Sequence, residues 1–471
     1  MMTIKYISTR GAAPELSFED VVLAGLASDG GLYLPDSIPE FSMMEINAMR
    51  AMSYPELAFT IISRFTEGSI APEALEKIIA DSYKTFRHAA VAPLTQLDTH
   101  TFMLELFHGP TLAFKDFALQ FLGRLLDHIL DKKKQKAVVI GATSGDTGSA
   151  AIAGCRNRAN MDIFILHPKG RVSEVQRRQM TAVLDKNVHN IAIEGTFDDC
   201  QDIVKALFQD ASLFRATNNE QRTTLVAVNS INWARIVAQI VYYFYAALAL
   251  GAPSRSVSFS VPTGNFGDIY AGHLARRMGL PIEQLIIATN RNDILTRCLA
   301  TGVYGMETVV PSLSPSMDIQ ISSNFERLLF DLYEQDGKEI AKMMTSFRAE
   351  KKLTLSSLAW NRFKSEFTAS AVSDEDTKKT IAETYKSTGQ LIDPHTAVGL
   401  AAGQRCRANT AMPLIVLSTA HAAKFPDAVK DATDVHPPLP AHLKDLLKAE
   451  ERCDTLANDA AAVKTYINNK I

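Results

Sequence analysis

The sequence predicts an α/β fold in which helices cover parallel strands. From about residue 100, short apolar runs alternate with amphipathic helical patterns, which is the order expected of α/β units. Two of these runs lead directly into glycine-rich loops that open helices. With 471 residues, 46% of them hydrophobic, the chain can bury the cores of two or three domains.

Residues 1–95 are predicted to form a small, mostly helical unit ahead of the sheet. Helical periodicity runs through residues 18–26, 54–65 and 72–83, and the Asp-Gly-Gly sequence at 29–31 marks a turn. Strands are then predicted at 137–140, 162–166, 256–261 and 413–417, and helices at 117–126, 149–156 and 269–277.

Two later regions lack strand-like runs. Residues 320–390 are charged and helical in pattern, which predicts a helical insertion within a catalytic body spanning residues 96–435. Residues 436–471 follow a Pro-Pro pair and are predicted to form a C-terminal helical tail.

Composition excludes several classes of protein. The formal net charge is −3 without a block of like charges, so no nucleic-acid partner is expected. The five cysteines lie far apart and form no Cys-x-x-Cys pair, which indicates a reducing compartment and neither a disulfide framework nor a metal site. The N-terminus lacks a signal-peptide pattern, and the apolar run at 236–252 is interrupted by Gln239. We therefore expect a cytoplasmic protein, a monomer or small homo-oligomer, without a membrane partner.

The first glycine loop, residues 141–148, contains Ser144, Gly145, Asp146 and Thr147 between a strand and a helix. Backbone N–H groups and hydroxyls at a helix start form an anion site suited to carboxylate or phosphate. A nucleotide P-loop is not indicated, because Ser149 stands where the required lysine would follow the last glycine. A tight turn with capping residues is the alternative.

The second glycine loop follows the strand predicted at 256–261 and comprises Gly264, Asn265, Phe266, Gly267 and Asp268. Its glycines allow the backbone to approach a phosphate closely, although the dinucleotide pattern is missing. One such loop alone is more often structural. Two loops at strand carboxyl ends favour a ligand, because open α/β sheets bind ligands there.

Three further features are candidates for chemistry. Lys115 stands among Leu112, Ala113, Phe114 and Phe117, and burial of a lysine amine makes it the nucleophile that a Schiff base needs. Asn229 and Ser230 precede a long apolar helix, where they either cap the helix or hold a phosphate, and Arg235 in its first turns would help to hold that phosphate. Thr419 and His421 close a late strand, and His421 is interpreted as a structural residue.

Taken together, these motifs resemble the threonine synthase family of pyridoxal-phosphate (PLP) enzymes. The matching sequences are TRG at 9–11, LASDGGLYLP at 26–35, TLAFKD at 111–116, TSGDTG at 143–148, NSIN at 229–232, GNFGD at 264–268 and STAH at 418–421. They occur in family order over about residues 1–430 and resemble the longer, bacterial and fungal branch. The resemblance implies a two-lobed fold of the tryptophan-synthase-β type (fold type II) with an extra N-terminal unit.

The resemblance also implies a role for each residue. Lys115 would bind the cofactor pyridoxal 5′-phosphate covalently and shuttle protons, and Thr419 would meet the pyridine nitrogen. The five residues from Gly264 to Asp268 would cradle the cofactor phosphate. Ser144, Asp146 and Thr147 would hold the substrate carboxylate, and Asn229, Ser230 and Arg235 the substrate phosphate. More distant relatives have Asn in place of Asp146, near the cofactor's phenolic oxygen, where an anionic side chain is unfavourable unless protonated or turned away.

The implied activity is that of a carbon–oxygen lyase of amino-acid biosynthesis. It converts O-phospho-L-homoserine and water to L-threonine and phosphate, the last step of threonine biosynthesis. A related PLP-dependent phospholyase or dehydratase, which stops at a 2-oxo acid, would share Lys115 and the glycine loops. A non-catalytic metabolite-binding module is the alternative from another class.

Overall fold

The computed structural model of the protein describes residues 4–210, 223–227 and 229–471. The strands in these residues are β1 Tyr6–Ser8, β2 Tyr33–Pro35, β3 Leu94–Gln96, β4 Thr101–Glu105, β5 Lys136–Ala142, β6 Met161–Pro168, β7 Val188–Glu194, β8 Thr223–Ala227, β9 Val257–Pro262, β10 Ile282–Thr289, β11 Val303–Gly305, β12 Lys352–Thr354, β13 Thr368–Ala371, β14 Leu414–Ser418 and β15 Asp454–Ala457.

The α-helices of the described residues separate these strands. They are α1 Phe18–Ala24, α2 Met43–Ala48, α3 Tyr54–Thr66, α4 Pro72–Tyr83, α5 Lys115–Lys133, α6 Asp146–Cys155, α7 Glu174–Thr181, α8 Phe197–Gln209, α9 Trp233–Ala249, α10 Gly267–Arg277, α11 Ile294–Thr301, α12 Phe325–Leu332, α13 Gly337–Glu350, α14 Ser357–Glu366, α15 Asp374–Thr388, α16 Pro394–Cys406, α17 Pro426–Thr433 and α18 Ala460–Asn468. Within the described part of the chain, no helix combines the length and apolar composition needed to cross a membrane.

The chain forms two compact units, as the predicted two-lobed α/β fold requires. The larger unit consists of the described residues of Met1–Phe114 and Ser230–Pro437. The smaller unit consists of the described residues of Lys115–Asn229 and Pro438–Ile471.

The larger unit is built on a sheet in the order β13-β10-β9-β14-β4-β3. All neighbouring strands are parallel except β3, which pairs antiparallel with β4. The predicted strands at 256–261 and 413–417 are confirmed as β9 and β14. Because β9, β14 and β4 run parallel, the chain leaves them at one edge of the sheet, after Pro262, Ser418 and Glu105. In α/β sheets this carboxyl edge is where ligands bind.

Helix α16 covers one face of this sheet through glycines. A Cβ atom at Gly399 would lie 3.0 Å from Pro262, and one at Gly403 would lie 3.0 Å from both Leu414 and Ser260. The Ser260 hydroxyl donates a hydrogen bond to the Gly399 carbonyl. The close approach buries the apolar side chains of α16, β10 and β14 in one cluster, and apolar burial is the main favourable contribution to folding.

The N-terminal residues form α1–α4 and a two-stranded antiparallel ribbon of β1 and β2. The ribbon is tied to α12 by Glu326, whose carboxylate accepts hydrogen bonds from the Thr9 hydroxyl at 2.7 Å and from Arg10 Nε and Nη2 at 2.9 Å each. The Arg10 contact is bidentate and partly buried, which is the geometry in which an ion pair is strongest. These residues therefore pack as part of the larger unit, and the proposed domain boundary at residue 95 stays a prediction.

The smaller unit contains a parallel sheet in the order β15-β7-β6-β5-β8. The predicted strands at 137–140 and 162–166 are confirmed as β5 and β6, and the helices predicted at 117–126 and 149–156 as α5 and α6. Leu456 and Val463 pack into the apolar cluster on one face of this sheet.

Two expectations about helical regions were wrong. Residues 436–471 were expected to be a helical tail, yet β15 adds an edge strand to the smaller sheet before α18. Residues 320–390 were expected to lack strands, yet they contain β12, paired with β11, and β13, which pairs with β10 at the edge of the larger sheet. Each of these strands has only three or four residues and few apolar side chains, so pairing with a neighbour makes it a strand.

Candidate active site

Lys115 is the first residue of α5, at the start of the smaller unit. Its side chain is buried, with 11% of its surface exposed, and Nζ donates to Oδ2 of Asp146 at 3.1 Å. The expected burial of this lysine is therefore confirmed. The carboxylate holds the buried amine in one position. A lysine that reacts with one particular carbonyl group needs such positioning.

Lys115 and Asp146 meet because α5 and α6 pack with their backbones in contact. A Cβ atom at Gly123 would lie 2.2 Å from the Gly154 carbonyl oxygen, and one at Gly154 would lie 2.2 Å from the Leu119 carbonyl oxygen. Real side chains cannot approach backbone atoms so closely, so only glycine permits this crossing. The close crossing brings together the starts of both helices, where Lys115 and Asp146 lie.

Asp146 has partners on both carboxylate oxygens. Besides the Lys115 contact on Oδ2, Oδ1 accepts a hydrogen bond from Gln176 Nε2 at 2.8 Å. Gln176 belongs to the first turn of α7, and its own Oε1 accepts from the Ser173 hydroxyl at 3.0 Å. The structure thus places Asp146 against Lys115, and its assignment to the substrate carboxylate stays a prediction. The sequence did not indicate a role for Gln176, because its local sequence carries no motif and its partner Asp146 lies 30 positions earlier.

The loop before α6 is organised by Thr143. Its Oγ1 accepts hydrogen bonds from the backbone N–H groups of Gly145 and Gly148, each at 2.9 Å. Gly145 has a φ of +141°, and a Cβ there would lie 2.5 Å from the Gln176 side chain, so glycine is required. These two bonds make Thr143 the residue that forms the tight turn, which was the alternative to an anion site for this loop. Ser144 is exposed and Thr147 half-buried, and their substrate contacts stay predictions.

In the larger unit, the second glycine loop joins β9 to α10. A Cβ at Gly264 would lie 2.9 Å from the Ser316 carbonyl oxygen, which leaves no room for a side chain. Phe266 adopts a left-handed conformation with a φ of 64°, and its ring packs against Phe325 in the core. Apart from the exposed Asn265 side chain, this loop therefore presents backbone at the start of α10, as a phosphate cradle does. Gly267 begins the helix.

Asp268 makes a different contribution from the rest of that loop. Its buried Oδ1 accepts hydrogen bonds from the hydroxyls of Tyr242 and Tyr243, which lie on α9. Burial and the nearby carboxylate raise the pKa of both tyrosines well above the ordinary value, so they stay protonated as donors. The Asp268 side chain joins α9 to α10, and its membership of a phosphate cradle stays a prediction.

Thr419 follows β14 directly at the carboxyl edge of the larger sheet. It is buried, and its carbonyl accepts a hydrogen bond from Phe114 N at 2.8 Å. Ala113 and Ala420 form an adjacent antiparallel bridge. Ala113 and Phe114, the two residues before Lys115, are thereby paired with Ala420 and Thr419. Phe114 is the last residue of this segment in the larger unit. His421 Nδ1 accepts from Ala423 N at 3.1 Å, a capping contact that agrees with the structural role expected of it.

Arg235 lies on the first turn of α9 and is buried, with 5% of its surface exposed. Among the described residues, its Nε and Nη1 atoms have no hydrogen-bond partner. Burial lowers the pKa of Arg235 from 12.5 to about 10, which still leaves the guanidinium charged at neutral pH. A buried charge without an anion is costly, so this position suits an anionic ligand. Asn232 caps α9 by accepting from Ala234 N, so the capping alternative belongs to Asn232 rather than to Asn229 or Ser230.

Sequence reasoning missed the residues that surround these loops from α12 and the turn before it. Ser323 Oγ lies 3.1 Å from Ser230 Oγ and donates to Asn265 Oδ1 at 3.3 Å. Arg327 is fully buried and donates to the Tyr33 and Ile231 carbonyls. The sequence S-S-N-F-E-R at 322–327 carried no local pattern that would single it out, because its partners lie about 60 to 290 positions away.

Comparison with known protein families covers most of the chain. The model described as Threonine synthase N terminus matches residues 5–83, the model of pyridoxal-phosphate-dependent enzymes matches residues 86–353, and the model of the threonine synthase C-terminal region matches residues 396–467.

Individual relatives agree with these matches. A threonine synthase from Pseudomonas aeruginosa is 59% identical over 466 residues, covering 99% of this chain and 98% of the relative. The crystal structure of PLP-bound threonine synthase from Brucella melitensis superposes with a TM-score of 0.95 at 51% identity and covers 99% of both chains. The threonine synthase structure from yeast gives a TM-score of 0.92 at 41% identity, with the same coverage.

Proposed function

The chain belongs to the threonine synthase family of PLP-dependent enzymes, and from that membership we propose that it converts O-phospho-L-homoserine and water to L-threonine and phosphate. It would act as a carbon–oxygen lyase in the last step of threonine biosynthesis. The observation that carries the proposal is the buried Lys115 amine at the start of α5, held by Asp146. A metabolite-binding module would not need to bury a reactive lysine at that position.

The residues present fit pyridoxal 5′-phosphate. Lys115 would supply an amine for covalent attachment, and the Gly264 loop would supply backbone at a helix start for the cofactor phosphate. Thr419, a neutral and buried hydroxyl residue, would meet the pyridine nitrogen. When bound, the cofactor supplies the sink for the electron pair that remains after a proton leaves the substrate.

Lys115 would move protons in the reaction, beginning with the proton on the substrate Cα. Its Nζ is positioned by Asp146, and Asp146 is positioned in turn by Gln176. Because the amine is already oriented before the substrate binds, less entropy is lost in reaching the reactive geometry. The rest of the reaction would require loss of a proton from Cβ, departure of the γ-phosphate, return of a proton to Cγ, and addition of water, with its hydroxyl to Cβ and a proton back to Cα.

The substrate phosphate would bind Arg235, Ser230 and Asn229. The guanidinium is charged and buried, and two of its nitrogens lack partners among the described residues, which is what a dianionic phosphate requires. The Ser230 hydroxyl is half-buried. The substrate carboxylate would bind Ser144, Thr147 and the N–H groups that open α6, with Asp146 engaged by Lys115.

We propose that the protein acts in the cytoplasm. Of the five cysteines, Cys155, Cys200 and Cys298 are buried as free thiols, and burial raises the pKa of each to about 12, so they are unreactive in a reducing compartment. The partner would be the small-molecule substrate alone, for a monomer or small homo-oligomer.

The product distinguishes this proposal from a related phospholyase or dehydratase. Purified protein loaded with PLP should release phosphate and threonine from O-phospho-L-homoserine in a 1:1 ratio, measured by a phosphate assay and by amino-acid chromatography. Protein stripped of PLP is the control and should release neither until the cofactor is restored. Formation of 2-oxobutyrate in place of threonine would identify a phospholyase, and the absence of phosphate release would contradict an enzymatic role with this substrate.

A further inference from the structure

The turn before α12 contacts both loops that the proposed function assigns to phosphates. Asn324 Nδ2 donates to the Asn265 carbonyl at 3.0 Å and to the Ser230 carbonyl at 3.1 Å. Asn324 N donates to the same Asn265 carbonyl at 3.0 Å, and the Ser322 hydroxyl donates to the Gly264 carbonyl at 2.8 Å. All of these residues belong to the larger unit. One side chain therefore links the loop after β9 to the loop before α9.

The orientation of the Asn324 amide is set by its other end. Its Oδ1 accepts a hydrogen bond from Arg327 Nη1, and Asn324 is fully buried. Arg327 is itself fixed, because its Nη2 donates to the Tyr33 carbonyl at 2.8 Å and to the Ile231 carbonyl at 2.6 Å. Rotating the amide by 180° would place its oxygen against two carbonyl oxygens and its NH2 group against a guanidinium. The donors must therefore face the two loops.

Fixing a carbonyl also fixes the direction of the next N–H group. In a trans peptide the C=O and the following N–H point in opposite directions. When Ser322 and Asn324 hold the carbonyls of Gly264, Asn265 and Ser230, the N–H groups of the residues that follow point away from the turn. Backbone N–H groups held in fixed directions are what an anion site needs.

We infer that Asn324 is a positioning residue that sets the backbone of both phosphate loops and thereby links cofactor binding to substrate-phosphate binding. The inference rests on the proposed function, because that proposal assigns the two loops to phosphates. It adds a residue that contacts neither ligand and acts on both through the carbonyls of Asn265 and Ser230. Ser322 acts on the cofactor loop alone.

Asn324→Ala removes both side-chain donors, so two constants should change together. The dissociation constant of PLP, titrated into stripped protein, should rise roughly five- to tenfold, which is the size expected for the loss of a net hydrogen bond. The dissociation constant of inorganic phosphate, measured by calorimetry on PLP-loaded protein, should rise by a similar factor. Ser322→Ala should weaken PLP binding and leave phosphate binding unchanged, because the Ser322 hydroxyl donates to the Gly264 carbonyl of the cofactor loop and to no described residue of the loop before α9.

Asn324→Asp separates positioning from a purely structural role. Aspartate keeps the size and the acceptor for Arg327 but places an oxygen against the two carbonyls. Positioning predicts that this variant weakens both constants at least as much as alanine does. A residue that served only to hold Arg327 would instead give wild-type constants with aspartate. This variant also serves as the test if Asn324→Ala does not fold.

Gln284→Ala is the matched control for loss of a side-chain amide. Gln284 Nε2 likewise donates two hydrogen bonds, to Thr368 and to the Cys406 carbonyl, but it lies near the start of β10, away from the carboxyl edge. It should lower the melting temperature without changing either constant. A folded Asn324→Ala or Asn324→Asp protein with wild-type constants would overturn the inference. Wild-type protein that binds no PLP would instead contradict the proposed function.

Discussion

The two units arrange their candidate functional residues in different ways. In the larger unit, the loop after β9 has its Phe266 and Asp268 side chains in the interior, and its backbone lies at the helix start beside the exposed Asn265. In the smaller unit, charged side chains are brought together, with Lys115 and Asp146 at the starts of two helices that cross at glycines. Backbone binds an anion without offering a reactive atom, whereas the lysine amine is reactive. We therefore expect changes in the larger unit to affect binding and changes in the smaller unit to affect chemistry.

Arg235→Ala should show the largest effect on binding in the larger unit. Loss of a charge-assisted hydrogen bond costs about 1.5–3 kcal/mol, so kcat/KM for O-phospho-L-homoserine should fall roughly ten- to a hundredfold. PLP binding should stay the same, because its phosphate is assigned to another loop. Inorganic phosphate should inhibit wild-type protein competitively and the variant much less.

Arg277→Ala is the control for that substitution. Arg277 lies at the end of α10, where it is partly exposed and pairs with Asp331. Its loss should leave kcat/KM within twofold of wild type, as is roughly expected of surface ion pairs. If Arg235→Ala releases PLP, or leaves both kcat/KM and phosphate inhibition unchanged, the assignment of the two phosphate sites is wrong.

Gly267→Val should show a smaller effect, which is measured on cofactor binding. A Cβ at Gly267 would lie 3.2 Å from Asn324 Nδ2 and 3.3 Å from Ile236 Cδ1, so both neighbours must move. Overpacking of this kind costs about 1–3 kcal/mol, and we expect a rise of roughly tenfold in the PLP dissociation constant. Dialysis followed by absorbance measurement reports the cofactor retained.

Gly305→Val makes the same substitution where space allows it. A Cβ at Gly305 meets its neighbours at 3.8 Å and 3.9 Å, which is ordinary contact. This variant should retain PLP as wild type does. Equal retention by Gly267→Val and Gly305→Val would show that the loop after β9 does not determine cofactor affinity.

The sequence predicted what local patterns encode. The apolar runs at 137–140 and 256–261 became central strands, and the apolar neighbours of Lys115 correctly indicated its burial. The edge strands β13 and β15 were missed because each is short and lacks an apolar run. Each forms a strand only by pairing with a neighbour, β13 with β10 and β15 with β7. Asp268 was grouped with the phosphate loop because its partners, Tyr242 and Tyr243, lie on another helix.

The residues that position the site were the hardest to predict. Gln176 orients Asp146 from a helix 30 residues later, and Asn324 reaches two loops across 59 and 94 positions. Their effect depends on tertiary contacts, and neither residue belongs to a local motif that carries chemistry. Lys115 could be found because its apolar neighbours indicate burial, and Arg235 because it follows the Asn-Ser-Ile-Asn motif at the start of a long helix.

The most direct test asks which lysine carries the cofactor. Borohydride reduction of PLP-loaded protein, followed by digestion and mass spectrometry, should place the reduced adduct on the peptide that contains Lys115. Lys115→Ala should fold, lose the visible absorbance of the bound cofactor and lose turnover, because the reactive amine of the smaller unit is gone. A reduced adduct at another lysine in wild-type protein, or turnover retained by Lys115→Ala, would contradict the assignment of chemistry to this residue.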